Sequence, residues 1–214
     1  LLKAGDRLTN VNRELQRGLG LTDAPILMAT DDPLRTKLRT PDGWMEFQPW
    51  FVGAQSKPEV LEIAFVGAEA TRITPEVAKV LSEADLIVIA PSNPMISIAP
   101  ILAVGGMSEA VSAARARGVH VIGVSPIVAG KAIKGPADRM LSAAKLASSP
   151  VGVARALPGL FDTLLVEEGD LTSELRADLA PLVANIVGAA IVMHDDAARL
   201  SLAQRLLQVA SDVA

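Results

Sequence analysis

Short aliphatic runs recur along the chain and are separated by stretches with helical spacing. Four of these runs have strand length, at residues 86–89, 119–125, 163–167 and 186–193. Uninterrupted apolar runs of this length are typical of strands covered on both faces of a parallel sheet. Helices are predicted from residue 74 onward and at residues 108–117, 137–146, 151–160, 174–184 and 197–214. The alternation predicts an α/β fold, with a mostly parallel sheet and helices on both of its faces.

The first thirty residues predict one helix and one strand. Residues 8–20 have helical spacing, in which Val11, Leu15 and Leu19 form the apolar stripe of an amphipathic helix. Residues 25–30 are short and mostly apolar, which favours a strand.

The next thirty residues interrupt the alternation of strands and helices. Residues 37–52 alternate polar and apolar side chains around the sequence Pro41-Asp42-Gly43, which is typical of a hairpin turn. Residues 59–66 predict a further strand. We therefore expect a small β-hairpin flap beside the ligand site.

The most informative loop follows the first buried strand, at residues 89–101. Open α/β sheets bind their ligands outside the carboxyl ends of their strands. Here three prolines stiffen the loop, and Ser92, Asn93 and Ser97 supply small hydrogen-bonding groups. Such groups at the start of a helix suit a phosphate. The alternative, that they only cap the turn and the helix, is equally open.

A second loop, at residues 126–136, leaves the next strand and is expected at the same rim of the sheet. It carries Lys131 and Lys134, with Gly135 among the glycines that let backbone approach a ligand. Lysine is a point charge suited to phosphate, although a solvated surface loop would explain two lysines equally well. Together the two loops favour a nucleotide or another phosphorylated ligand.

A group of charged residues follows the predicted strand at residues 25–30. Asp31 and Asp32 could hold a hydrated Mg²⁺ ion, which takes one or two carboxylates besides substrate phosphates. They could instead cap the following turn and pair with Arg35, and this structural role is the favoured one. Arg35 and Lys37 are candidates for contact with an anionic ligand.

Composition excludes several classes of function. The 214 residues are 50% apolar with a mean hydropathy of +0.36, which suits one α/β domain over residues 1–214. A net charge of −4 gives no indication of a nucleic-acid partner. The absence of cysteine excludes disulfides, thiolate metal sites and a cysteine nucleophile.

The two histidines, His120 and His194, stand in apolar contexts typical of core or strand-end positions, which argues against a Ser-His-Asp hydrolase and a histidine-rich metal centre. Asp195 and Asp196 precede the last predicted helix and are expected to cap it.

No apolar run approaches the roughly 20 residues that span a bilayer, so no membrane association is expected. The chain begins Leu1-Leu2 without an initiating Met and without the layout of a signal peptide. We therefore expect a cytoplasmic protein that is truncated at its amino end.

Four motifs occur in order with specific spacing, at residues 31–37 (DDPLRTK), 47–52 (FQPWFV), 91–104 (PSNPMISIAPILAV) and 125–136 (SPIVAGKAIKGP). Together they resemble the 2-phospho-L-lactate transferase family, which acts in the biosynthesis of the deazaflavin coenzyme F(420). The resemblance runs from Leu1 to about Met193. It implies a Rossmann-like three-layer α/β/α fold. The family also opens with a strand and a glycine-rich turn, followed by acidic metal and deazaflavin contacts, and this sequence starts after them.

The resemblance implies a function. Members of the family transfer a phospho-organic-acid group, either 2-phospho-L-lactate or a phosphoenolpyruvate-type group, from a guanosine diphosphate conjugate to the deazaflavin Fo, and release GMP. They use Mg²⁺ and are commonly homodimers. Because the glycine-rich start is absent from this sequence, we expect the fragment alone to be inactive.

Under this interpretation each polar residue has an expected role. Ser92, Asn93 and Ser97 bind the donor's phosphates or guanosine, and Lys131 and Lys134, with the adjoining Gly135, meet phosphate charge. Arg35 and Lys37 are candidates for the carboxylate of the transferred acid. No residue is assigned as the general base.

Two alternatives remain at this stage. One is a nucleotide-sugar-binding regulatory protein with the same core, whose loop corresponding to residues 130–135 would differ. The other is a dinucleotide-dependent oxidoreductase, which needs a Gly-x-Gly-x-x-Gly turn after a strand. Gly105 and Gly106 lie in a region predicted as helix and do not supply that turn.

Overall fold

The computed structural model describes residues 2–21 and 25–213. Its strands are β1 (Arg35–Thr40), β2 (Gly43–Glu46), β3 (Glu62–Val66), β4 (Leu86–Ile89), β5 (His120–Val124), β6 (Ile127–Val128), β7 (Lys131–Ala132), β8 (Thr163–Glu167) and β9 (Asn185–Ala189). Its α-helices are α1 (Leu8–Gly18), α2 (Pro75–Glu83), α3 (Ala99–Leu102), α4 (Met107–Ala116), α5 (Ala137–Ala143), α6 (Pro150–Ala156), α7 (Ser173–Leu179) and α8 (Asp196–Val213). Shorter helical turns occupy Leu2–Ala4, Pro49–Gly53, Ala68–Ala70, Pro94–Ile98 and Glu168–Asp170.

A four-stranded parallel sheet in the order β4-β5-β8-β9 forms the centre of the fold. Each of its strands coincides with one of the predicted aliphatic runs. The fourth is shorter than predicted, because β9 ends at Ala189. Ile191 lies beyond that end, where its amide donates to Glu167 Oε2 at 3.0 Å instead of to a strand. The prediction of an α/β fold with a mostly parallel sheet is confirmed.

Helices cover both faces of this sheet. On one face Val121 and Leu164 pack in a core that includes side chains of α4 and α6. On the other face Ile122 and Leu165 pack against Leu202, a residue of α8. Neighbouring residues of one strand point to opposite faces, so each strand contributes to both cores.

A second, antiparallel sheet in the order β2-β1-β3 is separate from the parallel sheet. The predicted hairpin is confirmed, although it is shorter than residues 37–52. After Glu46 the chain becomes helical, and the side chain of Trp50 packs with Leu38, Val60 and Met140 in a small core. We refer to residues 35–66, which include both arms of the hairpin and β3, as the flap.

The prediction of a strand at residues 25–30 is wrong. Side chains take the hydrogen bonds that a neighbouring strand would otherwise make. Gln16 donates through Nε2 to the carbonyl oxygen of Ile26 at 2.7 Å and accepts from its amide at 2.8 Å. Thr74 Oγ1 donates to the carbonyl oxygen of Met28 at 2.8 Å. An apolar sequence forms a strand only where another strand offers it a ladder.

Helix α1 turns its polar face toward the protein. Thr9 and Gln16 are 3% and 9% exposed, whereas Leu15 and Leu19, from the predicted apolar stripe, are 62% and 74% exposed. The helix is attached by polar contacts, including the bond from Thr9 Oγ1 to Asp31 Oδ1 at 2.8 Å. The stripe therefore does not face the core, as it would in an ordinary amphipathic helix.

Several helix boundaries differ from the prediction. The helices predicted at 151–160 and 174–184 end early, at Ala156 and Leu179. Gly106 is not inside a helix but precedes α4 with a φ of +89°, a conformation that glycine adopts without strain.

No single helix among the described residues has both the length and the hydropathy to cross a membrane. The neighbouring segments Pro94–Leu102 and Met107–Ala116 reach that length and hydropathy only when they are counted together, and the chain bends by 81° between them.

A clamp of polar groups fixes the amino ends of β5 and β8. Asp162 accepts hydrogen bonds from the Arg115 guanidinium and, at 2.9 Å, from the amide of Val121. His120 contacts Thr163 Oγ1 through Nε2 at 2.8 Å, which agrees with its predicted strand-end position.

His194 does not lie in the core or at a strand end, since its side chain is 73% exposed in the turn before α8. The predicted capping by Asp195 is confirmed, because its Oδ1 accepts from the amide of Ala198 at 2.7 Å.

Candidate functional site

A cavity of about 480 Å³ lies where the chain leaves the carboxyl ends of β4, β5 and β9. We call it the rim cavity. It is lined by polar groups of the two loops, by aromatic rings of the flap and by apolar residues beyond β9: Ser92, Asn93, Ser97, Lys134, Gly135, Phe47, Phe51, Ile191 and Met193. The expected meeting of the two loops at one rim of the sheet is therefore present. Ligand sites of open α/β sheets have this position.

The loop after β4 is held in place by Asn93. Its Oδ1 accepts a hydrogen bond from the amide of Met95 at 2.9 Å, which caps the Pro94–Ile98 turn. Its Nδ2 contacts the sulfur of Met140 at 3.3 Å. Both ends of the Asn93 amide thus have partners within the protein, and the capping alternative describes this residue.

Ser92 and Ser97 differ from Asn93 in this respect. Both are half-buried in the wall of the rim cavity. Neither hydroxyl forms a hydrogen bond to another described residue, so both are available to a ligand as donor or acceptor. The turn that Asn93 caps fixes where Ser97 stands, because the Ser97 amide donates to the carbonyl oxygen of Asn93 at 3.0 Å.

The loop after β5 contains a small hairpin, β6 and β7, which the sequence did not predict. Its turn at Ala129 and Gly130 has positive φ angles of 48° and 73°. Asp170 Oδ2 accepts from the Ala129 amide at 2.7 Å, and Ser148 Oγ donates to the Gly130 carbonyl oxygen at 2.6 Å. These bonds hold Ala129 in a conformation that is uncommon for residues other than glycine.

The hairpin separates the two lysines of this loop. Lys134 lines the rim cavity together with the serines, and Gly135 lies next to it there. Lys131 lines a different pocket, of about 620 Å³. The structure thus brings only one of the two lysines to the predicted phosphate site.

The flap supplies an aromatic wall that sequence reasoning did not assign to the site. The rings of Phe47 and Phe51 stack with centroids 5.3 Å apart and planes inclined by 15°. Phe51 is 39% exposed, so the pair presents a flat apolar surface to the cavity. A signal was present in the sequence, because the chain has only four phenylalanines and two of them fall in the motif at residues 47–52.

The Asp31–Asp32 pair does not fit a Mg²⁺ site. Asp31 accepts hydrogen bonds from Thr9 and Arg7, and Asp32 Oδ2 accepts from the amide of Arg72 at 2.9 Å. Partial burial raises the pKa of Asp31, but the hydrogen bonds from Thr9 and Arg7 outweigh it, and the pKa lies below its ordinary value. Across residues 2–21 and 25–213, no group of three histidine or carboxylate side chains could hold a metal ion. The acids have a structural role, but not the predicted one, because their partners are Arg7, Thr9 and the amide of Arg72, and neither acid pairs with Arg35.

Arg35 and Lys37 lie on β1, outside the rim cavity. Lys37 Nζ pairs with Glu46 Oε1 at 3.2 Å. Arg35 is exposed and lines a separate pocket of about 420 Å³, whose lining also includes Phe47. The structure does not bring either residue to the serines and Lys134.

Residues 1–210 match the family model described as 2-phospho-L-lactate transferase CofD. The chain belongs to this family. Three of the four motifs quoted above supply walls of the rim cavity, namely those at residues 47–52, 91–104 and 125–136.

Curated relatives agree with the family match. The 2-phospho-L-lactate transferase of Methanosarcina barkeri is 33% identical over 81% of this chain and 54% of its own length. That of Haloarcula marismortui is 36% identical over 80% and 49%. A phosphoenolpyruvate transferase of Mycobacterium sp. strain KMS is 36% identical over 79% and 54%. This chain thus spans about half the length of the CofD relatives that it matches.

A solved structure of a Bacillus halodurans protein supports the fold alone. It aligns with a TM-score of 0.56 at 18% identity, over 89% of this chain and 64% of its own length. A second structure of the same protein, described there as a member of the UPF0052 family, gives a TM-score of 0.54 at 16% identity.

Proposed function

We propose that the complete protein transfers a phospho-organic-acid group from a guanosine diphosphate conjugate to the deazaflavin Fo and releases GMP. The group is 2-phospho-L-lactate or a phosphoenolpyruvate-type group, since relatives with both names match at similar identity. The observation that carries the proposal is that three family motifs form one cavity at the carboxyl rim of the sheet.

The chemistry suits the residues of the rim cavity. The acceptor hydroxyl loses its proton to solvent water, and its oxygen forms a bond to the phosphorus that carries the organic acid. The bond from that phosphorus to the bridging oxygen breaks, and the bridging oxygen leaves with GMP. Such a transfer depends on positioning and on neutralising phosphate charge, and it needs no protein nucleophile. Lys134 supplies positive charge, and the hydroxyls of Ser92 and Ser97 supply hydrogen bonds to phosphate oxygens.

The stacked Phe47–Phe51 pair offers a surface on which an aromatic ring of a substrate can stack. Guanine and the deazaflavin are both flat, and either ring gains by stacking on a face of this kind. Asn93 contributes by holding the loop through its cap. Lys131, Arg35 and Lys37 lie outside the rim cavity, and no contact with the donor is assigned to them.

We also propose that the transfer requires Mg²⁺, which is tested by measuring GMP release with and without the ion. None of its ligands is assigned to this chain, because Asp31 and Asp32 are engaged with protein donors. We further propose a cytoplasmic homodimer with small-molecule substrates, no nucleic-acid partner and no membrane association. Sedimentation of the complete protein tests the dimer.

The decisive experiment supplies the complete protein with Fo, Mg²⁺ and either donor, and measures GMP by chromatography. We expect GMP with at least one donor, and a lower rate in Ser97→Ala. Ser82→Ala is the matched control, because the Ser82 hydroxyl is exposed on α2 and bonds only its own helix. Absence of GMP with both donors, combined with tight binding of a nucleotide sugar, would favour the regulatory-protein alternative.

A further inference from the structure

The pocket that receives Lys131 lies outside the rim cavity and has a chemistry of its own. Its volume is about 620 Å³. Its lining includes Trp50 and three cationic side chains, Lys57 from the flap, Lys131 from β7 and Arg139 from α5. We call it the basic pocket.

The cations of the basic pocket keep their charge available. Lys57, Lys131 and Arg139 form no ion pair with any residue in the described ranges, although eight ion pairs of other arginines and lysines form elsewhere in them. Two carboxylates, Glu59 and Asp138, also line the pocket and likewise form no ion pair there. The lining therefore has an excess of one positive charge in a chain whose net charge is −4.

Hydrogen bonds fix the backbone on either side of Lys57. Arg139 Nη1 donates to the carbonyl oxygen of Ser56 at 2.9 Å. Gln55 and Ser56 have positive φ angles of 52° and 54°, and Ser56 is only 6% exposed. Trp50 Nε1 donates to the carbonyl oxygen of Pro58 at 3.0 Å. The residues on either side of Lys57 are thus held, which lowers the entropy lost when a ligand binds.

The geometry points to a second ligand site in the basic pocket, one that takes a small oxyanion independently of the nucleotide in the rim cavity. Phosphate monoesters and carboxylates share the required chemistry, a compact negative group that accepts hydrogen bonds from ammonium and guanidinium donors. The pocket is open to solvent, so the affinity is modest and decreases with salt.

Intrinsic fluorescence provides a direct measurement. The chain has two tryptophans and no tyrosine. Trp44 lies on β2 and is 48% exposed, whereas Trp50 is 2% exposed and lines the basic pocket. In the Trp44→Phe variant, emission reports on Trp50 alone. Titration with inorganic phosphate, and separately with malonate, at constant ionic strength distinguishes a phosphate site from a carboxylate site. We expect a saturable change with at least one of them.

Matched substitutions assign the response to the pocket. Lys57→Met and Lys131→Met should each weaken binding about two- to five-fold, the range for one exposed charge. Asp138→Asn should tighten binding by a similar factor, because it removes a repelling carboxylate. Lys79→Met is the control, since Lys79 is exposed on α2 and lines none of these pockets. A response that never saturates, or equal affinities in Lys131→Met and Lys79→Met, would overturn the second site.

Lys134→Met separates this inference from the proposed function. It should leave the phosphate or malonate response of Trp50 unchanged while it weakens GDP binding in the rim cavity. Loss of both responses in this one variant would mean that the two pockets act as one site, which refutes independent binding.

Discussion

Lys131 and Lys134 are three positions apart but line different pockets, Lys134 beside the serines of the rim cavity and Lys131 beside Lys57 and Arg139. The β6–β7 hairpin is the cause, because its turn places Lys131 in an extended pair with Val128. The chain then runs on through Gly135 toward α5. Two lysines that are close in the sequence therefore line separate pockets.

A first prediction follows from this separation. Lys134→Met should weaken GDP binding about ten-fold or more, as expected for a lost hydrogen bond to a charged group. Lys131→Met should change it about two-fold at most, because only screened long-range charge is removed. Isothermal titration calorimetry of the complete protein measures both. Equal losses in the two variants would place the diphosphate across both pockets.

A second prediction separates Asn93 from Ser97. Asn93→Ala should lower the free energy of unfolding by about 1 kcal/mol, the usual cost of removing such a cap. Ser97→Ala should leave stability within about 0.5 kcal/mol and should weaken nucleotide binding. Urea denaturation and calorimetry on the same samples give both quantities. If Ser97→Ala binds GDP with the affinity of the parent, Ser97 does not contact the nucleotide.

A third prediction concerns Gly152 in α6, the helix that packs against the Pro94–Ile98 turn. A Cβ at this position would stand 2.9 Å from the carbonyl carbon of Ala147 and still closer to its oxygen. Gly152→Ala should therefore lower the free energy of unfolding by about 1–3 kcal/mol. Gly169→Ala is the control, because a Cβ there meets nothing within 4 Å and should cost about 0.5 kcal/mol or less. Similar melting temperatures for the two variants would contradict the predicted clash.

A fourth prediction uses the acid that clamps β5 and β8. Partial burial raises the pKa of Asp162, but the hydrogen bonds from Arg115 and the Val121 amide outweigh it and place the pKa below its ordinary value. The stability that Asp162 contributes is therefore present above the carboxyl pKa of the unfolded chain, near about 4, and is lost as the pH falls through the lower folded pKa. Asp162→Asn should cost about 1–3 kcal/mol at pH 7.

Thermal unfolding of Asp162→Asn across pH 2.5 to 7 checks this expectation. The difference in melting temperature from the parent should be constant above about pH 5 and should shrink below about pH 4. Asp178→Asn is the control, since Asp178 is exposed on α7 and forms no ion pair with the described residues. If the difference in melting temperature between Asp162→Asn and the parent is unchanged at pH 2.5, the loss of stability comes from the changed shape of the side chain and not from its charge.

The parallel sheet could be predicted because its signal is local. A short, uninterrupted aliphatic run such as Leu86–Ile89 is typical of a strand that is covered on both faces. The rim position of the loop after it follows from the rule for open α/β sheets, without any knowledge of side-chain directions. The resemblance of the motifs to the family added an expectation for the ligand, which composition alone left open.

The remaining features depend on distant partners that a sequence pattern does not contain. The segment at residues 25–30 has strand-like composition, but Gln16 and Thr74 take its backbone groups. The apolar stripe of α1 faces outward because Arg7 and Thr9 tie the opposite face to Asp31. In each case polar contacts far apart in the sequence outweigh a local preference for burial.

Met140 has a wider consequence than its place in a small core suggests. It is 2% exposed, packs with Leu38 and Trp50 of the flap, and contacts Asn93 through its sulfur. A motion that lifts the flap away from α5 thus removes neighbours of the same side chain that steadies the loop after β4. Flap and loop should therefore open as one cooperative unit, and in Met140→Ala the amide protons of Leu38 and Met95 should exchange with solvent faster together.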